Sequence, residues 1–160
     1  MHDTNARLLI VDDEPLIQRS ISQVLTEIGY RVRSAADGFS ALSEIQQEVP
    51  DFLVSDLNMP GMSGFELLLV VRCKFPSIKV IAMSGAFYGN EVPSGVAADA
   101  FYQKGSSIGS LLKIMESIPM HTRMLPRHSV QTSGLTSMPI IQQEPDTTLP
   151  VLHSAQIQSN

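Results

Sequence analysis

The sequence predicts a doubly wound α/β fold, a parallel sheet with helices on both faces, and three observations predict it. Short apolar runs alternate with segments of helical period along residues 7–118. Turn and cap residues, such as Gly29, Asp37-Gly38 and Pro50, fall between them. Acidic, hydroxyl or basic residues follow the apolar runs, at Asp12, Asp13, Asp56, Ser84 and Lys104. In an open parallel sheet the carboxyl ends of the strands form the ligand-binding edge, so five groups placed there by separate segments point to one site.

Each element has its own justification. Arg7 to Val11 is a short apolar strand, and Glu14-Pro15 starts a helix, because proline is tolerated where the amide would be unpaired. Leu16, Ile17, Ile21, Val24, Leu25 and Ile28 fall on one face of that helix, which stops at Gly29. Tyr30 to Ala35 is the second strand. Asp37-Gly38 turns the chain into a helix with Phe39, Leu42 and Ile45 inward, ending before Pro50. Phe52 to Ser55 is the third strand, and Gly64 to Lys74 a helix rich in leucine and valine. Ser77 to Ala82 is a fourth strand, Ala100 to Tyr102 a fifth, and Ser107 to Ser117 a last helix carrying Leu111, Leu112, Ile114 and Met115. Residues 87–97 stand apart, since Gly89, Pro93 and Gly95 oppose a helix of normal length.

Composition bounds the function. With 160 residues the chain has room for one ordinary domain and an appendage. A net charge of −5, without a lysine or arginine cluster, disfavours direct nucleic-acid binding. The single cysteine, Cys73, lies in an apolar helical stretch and reads as a small buried residue. No apolar run reaches bilayer length and the first residues lack a signal pattern, so no membrane partner and a cytoplasmic setting are expected. From about residue 119 the character changes: residues 119–160 carry five prolines and only Arg123, Arg127, Glu144 and Asp146 as charges. That segment is expected to be a low-complexity, disordered tail without an effector domain, following a first domain of residues 1–118.

The three acids define the chemistry. Neighbouring carboxylates repel one another and host a divalent cation well; with oxygen ligands and no His or Cys among them, magnesium suits the set better than zinc. Lys104 supplies a fixed positive charge and Ser84 a hydroxyl. Together these form a phosphoryl site, with a carboxylate nucleophile, a metal on the acids and donors for the remaining oxygens. Taken singly, Ser84 reads as an ordinary loop or cap residue, and Asp37 and Asp51 as turn residues. His2, His121, His128 and His153 lack metal-ligand spacing.

These motifs, in order, resemble the receiver domain of two-component response regulators: Asp12-Asp13 after the first strand, Ser55-Asp56-Leu57-Asn58-Met59-Pro60-Gly61 after the third, Met83-Ser84-Gly85-Ala86 after the fourth, and Ala98 to Lys104 around the fifth. The resemblance covers roughly residues 5–118. It implies a flavodoxin-like (βα)5 sheet of strand order 2-1-3-4-5. It also implies that Asp56 accepts a phosphoryl group from the phosphohistidine of a sensor histidine kinase or phosphotransfer protein. Magnesium would be held by Asp12, Asp13 and Asp56, with the backbone carbonyl of Asn58 as a further ligand. Ser84 and Lys104 would bind phosphoryl oxygens, and Phe101 would be the aromatic whose rotamer, with Ser84, reports activation. The protein would be a stand-alone regulator rather than an enzyme, limited to magnesium-dependent self-phosphorylation and autodephosphorylation at Asp56. Its further partners would be an unnamed downstream protein and at most a weak second copy.

Two positions depart from the family pattern. Gly105 stands where a proline usually follows the lysine through a cis bond, and a trans bond or a looser loop is expected, because cis at a non-proline bond costs about 2.5–4 kcal/mol. The weak helical pattern of 87–97 is the second. Both keep open an alternative, an unphosphorylated receiver-shaped interaction module. A phosphatase of the haloacid dehalogenase type fits less well, since it expects its nucleophile after the first strand and a second aspartate where this chain has Asn58.

Overall fold

The computed structural model describes residues 5–87 and 91–119. The chain runs β1 (Arg7–Val11), α1 (Pro15–Ile28), β2 (Arg31–Ala35), α2 (Gly38–Gln47), β3 (Phe52–Asp56), α3 (Gly64–Lys74), β4 (Lys79–Ser84), β5 (Ala100–Gln103) and α4 (Ile108–Ser117). All pairings are parallel, and the sheet order is β2-β1-β3-β4-β5. The fold is therefore the doubly wound, flavodoxin-like one that the sequence predicts. The expected tail, residues 119–160, lies outside the described residues apart from Pro119.

Strand residues alternate strictly between two cores, as a sheet covered on both faces requires. Leu9, Val11, Leu53, Val80, Ala82 and Phe101 face α2 and α3, meeting Ala41, Ile45, Leu67, Leu68 and Val71. Leu8, Ile10, Val54, Ile81, Met83 and Tyr102 face α1 and α4, meeting Ile21, Leu25, Leu111 and Met115. None of the described helices is long and apolar enough to cross a membrane.

Between β4 and β5, residues 91–99 form no helix. The Val96 amide donates to the Pro93 carbonyl in a turn, and Gly95 takes a φ of +83°. Val92, Val96, Ala97 and Ala98 still pack on the α2/α3 core, so apolar contact survives where helical backbone pairing does not. The Asp99 carboxylate ends the segment by accepting from the Val80 amide at 2.7 Å and pairing with Arg72 of α3 at 3.2 Å.

Several side chains depart from their expected places. Phe39 is 64% and Leu16 78% exposed, and Ile28 is exposed as well. The buried stripe of α2 is Gly38, Ala41 and Ile45, one step away from Phe39; a Cβ on Gly38 would lie 2.8 Å from the Met62 side chain, so small residues set the contact. Cys73 is exposed, not buried. The buried stripe of α3 is Gly64, Leu67, Leu68 and Val71, and Cys73 lies about 200° around the helix from Val71. Asp37 caps α2, accepting from the Ser40 amide at 2.8 Å. Asp51 does more than flank a turn: it receives the Arg7 amide at 2.9 Å and a two-point guanidinium contact from the same residue.

Candidate functional site

Register brings the acids together. Val11 pairs with Ser55, so Asp12 and Asp56 occupy the next step on adjacent central strands. Asp56 is 3% exposed and Asp12 1%, while Asp13 is exposed at the mouth. Asp12, Asp13 and Asp56 each offer a carboxylate oxygen, all within 4.8 Å of one another. Such a set favours a cation over mutual repulsion.

Close helix packing fixes the end of β3. Gly64 opens α3 so near that strand that a Cβ there would lie 1.9 Å from the Asp56 carbonyl oxygen. Ser63 caps α3, and its reciprocal bonds with Glu66 close a capping box. Asp56 Oδ1 accepts the Asn58 amide at 3.1 Å, and the Asn58 side chain donates to the Ser84 hydroxyl at 3.3 Å. Ser84 Oγ also accepts the Ala86 amide at 3.1 Å. Ser84 is thus linked to Asp56 through Asn58, a side-chain role beyond the carbonyl the sequence suggests.

Lys104 is carried to the acids by β5, its amide donating to the Ser84 carbonyl at 3.0 Å. Its Nζ lies 2.7 Å from Asp56 Oδ2, 2.9 Å from Asp12 Oδ2 and 3.0 Å from Glu14 Oε1. Burial works against the ammonium charge, but the carboxylates of Asp56, Asp12 and Glu14 outweigh it and hold the pKa above its usual value. Burial pushes the Asp12 carboxyl up, against the Glu14 amide and Lys104, which favour ionisation. Although Asp12 Oδ2 is within ion-pair range of Lys104, it makes no well-directed hydrogen bond, so this buried oxygen keeps lone pairs for a further cation. Glu14 was not legible as a site residue. Its only sequence signal is its place directly after Asp12-Asp13, where it reads as a helix start.

Phe101 and Tyr102 point to opposite faces. Phe101 is 1% exposed and meets Phe87 edge to face, with ring centroids 6.4 Å apart. The Tyr102 hydroxyl donates to the Ser106 carbonyl at 2.7 Å. No described peptide bond is cis, and Gly105 takes a φ of +87°, a conformation that glycine adopts without strain.

Comparison with known proteins agrees with this geometry. The family model of the response regulator receiver domain matches residues 8–115. The chain belongs to that family, and its domain is a receiver of the two-component type. Among particular relatives, it is 36% identical over 80 residues to sporulation initiation phosphotransferase F of Bacillus subtilis, covering 50% of this chain and 64% of that protein. It is 28% identical over 117 residues to the probable transcriptional regulatory protein TcrX of Mycobacterium tuberculosis, covering 72% of this chain and 50% of the relative. The chain thus spans about half to two thirds of the length of these curated relatives. Among solved structures, the chemotaxis response regulator CheY4 of Vibrio cholerae superposes with a TM-score of 0.65 at 32% identity, covering 70% of this chain and 97% of that one. TrrA of Thermotoga maritima, solved with Mg(2+)-BeF, gives 0.63 at 31%, covering 69% and 96%.

Proposed function

We propose that Asp56 accepts a phosphoryl group from a phosphohistidine on a sensor histidine kinase or phosphotransfer protein, and that the acylphosphate changes which protein this domain binds. The observation that carries this reading is a buried carboxylate at the end of the central strand, 2.7 Å from a lysine ammonium and beside two further carboxylates. An Asp56 oxygen would attack phosphorus as the phosphorus–nitrogen bond breaks, the electron pair returning to the imidazole. Asp12, Asp13, Asp56 and the Asn58 carbonyl would hold magnesium, whose chemistry is to neutralise charge on the transferring group. Lys104 would pair with one phosphoryl oxygen and Ser84 with another. Phosphorylation adds about −1.5 to −2 charges at neutral pH, enough to bias a two-state arrangement of the β4 and β5 ends, including Ser84 and Phe101.

The Mg(2+)-BeF structure of TrrA and the complex of TrrA with histidine kinase ThkA support both the metal and the partner class. The site needs no substrate turnover to act, and a cytoplasmic setting suits a kinase-coupled acceptor. Incubation with acetyl phosphate and magnesium should give one acid-stable, base-labile phosphoryl group per chain, absent in Asp56→Ala. Label retained in that variant would sink the assignment. The non-helical stretch at 91–99 favours a second reading, an unphosphorylated interaction module, which predicts no magnesium-dependent amide shifts on adding beryllofluoride.

A further inference from the structure

An ammonium has three N–H donors and no acceptor, so a buried lysine needs three acceptors to lose nothing on leaving water. Lys104 Nζ donates to two, Asp56 Oδ2 and Glu14 Oε1, and the carboxylate of Asp12 stands within ion-pair range at 2.9 Å without a well-directed hydrogen bond. Asp56 and Asp12 also belong to the acidic group that suits a cation, and Glu14 does not. A divalent ion and a phosphoryl group therefore draw on the same oxygens that hold Lys104, while Glu14 stays outside that competition. Glu14 lies at the mouth, its side chain 62% exposed against 12% for Lys104, so it reaches the ammonium from the solvent side. It also sits at the N-cap of α1 without making a side-chain cap bond, which leaves its carboxylate free of duty to the helix.

We infer that Glu14 is a positioning residue for Lys104. It takes the outward N–H of the ammonium and keeps Nζ over Asp56 when the oxygens of Asp12 and Asp56 turn to a cation or a phosphoryl group. The inference rests on the phosphoryl reading of Asp56 and adds to it the residue that holds the phosphoryl-binding lysine. A glutamate acting only by its own charge would instead repel an anionic ligand, so the two roles have opposite signs.

The experiment is a titration of the full chain with beryllofluoride and magnesium, followed by amide shifts, for wild type, Glu14→Ala, Lys104→Ala and the double variant. Glu14→Ala should weaken binding about two- to fivefold, the scale of a partly exposed ion pair. In the Lys104→Ala background the same change should cost nothing. Glu14→Gln, which keeps an acceptor but not the charge, should recover part of the loss. The chain has only four lysines, so the Lys104 ammonium can be resolved by 15N NMR. Its proton exchange should speed up in Glu14→Ala without any ligand present. Tighter binding in Glu14→Ala, equal losses in both backgrounds, or unchanged ammonium exchange would each overturn the inference. Failure of the wild type to bind beryllofluoride would instead overturn the phosphoryl reading, leaving the ammonium signal as the test of the clamp.

Discussion

The two faces of the sheet are closed by different means. Over the α1/α4 face, two regular helices bury Leu8, Ile10, Val54, Met83 and Tyr102. Over the other, α2 and α3 cover only part, and single apolar side chains from non-helical backbone, Phe87, Val92, Val96, Ala97 and Ala98, pack against the rest. The helices of that second face are both tied at their start by reciprocal capping boxes, Asp37 with Ser40 and Ser63 with Glu66. On the first face α1 has no side-chain cap bond. The difference teaches that loss of a helix need not open a core, provided the neighbouring helices are anchored and a few side chains bridge the gap. It also places the least regular backbone against Phe101, the aromatic that the receiver family resemblance marks as a reporter.

The largest effect should come from breaking that bridge. Phe101 fills the α2/α3 core at 1% exposure, with Phe87 on its edge. Phe101→Ala should cost about 3–5 kcal/mol, the usual range for a buried aromatic truncated to alanine. Urea denaturation measures it. A loss below about 1 kcal/mol would mean that the irregular segment collapses into the cavity, so that this face is softer than its packing suggests.

A smaller effect should follow from untying the segment at its end. Asp99 accepts the Val80 amide and pairs with Arg72, joining β4, β5 and α3 where no helix does so. Asp99→Ala should cost about 1.5–3 kcal/mol, the scale of a hydrogen bond to a charged group. Amide exchange at Val80 and in residues 91–98 should accelerate, while exchange in α1 stays unchanged. Equal acceleration on both faces would contradict a local tie.

The central site was legible because its logic is one of strand ends. Asp12 and Asp56 could be placed from the lengths of two apolar runs, and Lys104 from a third. The lack of a helix over the described residues 91–99 was legible too, since Pro93 and Gly95 oppose helical backbone; Gly89, the third breaker, lies outside the described residues. Side-chain direction was less legible. Phe39 looked inward because it is apolar, yet Gly38 and Ala41 are the close-contact residues, and close approach selects for small side chains rather than hydrophobic ones. Cys73 was misplaced for a related reason, because a helix rich in leucine and valine shows too little periodicity to mark its outer face. Glu14 and the Asn58 side chain were missed because their partners, Lys104 and Ser84, are 90 and 26 residues away.

The smallest effect distinguishes the anchored helices by pH. Hydrogen bonds from the Ser63 amide and hydroxyl hold the Glu66 carboxyl below its usual value of 4.5. An acid with a lowered folded pKa binds fewer protons in the folded chain than in the unfolded one. Its contribution is therefore fully present above the unfolded value and lost as pH falls through the folded one. Wild type should melt slightly higher than Glu66→Gln at pH 7, and the gap should close as pH falls below about 4.5. Asp37 on α2 is shifted the same way by Ser40, but it titrates in both proteins and cancels in the difference. A gap that stays constant from pH 7 to pH 3 would assign the cap of α3 to its geometry alone, with no share from the charge of Glu66.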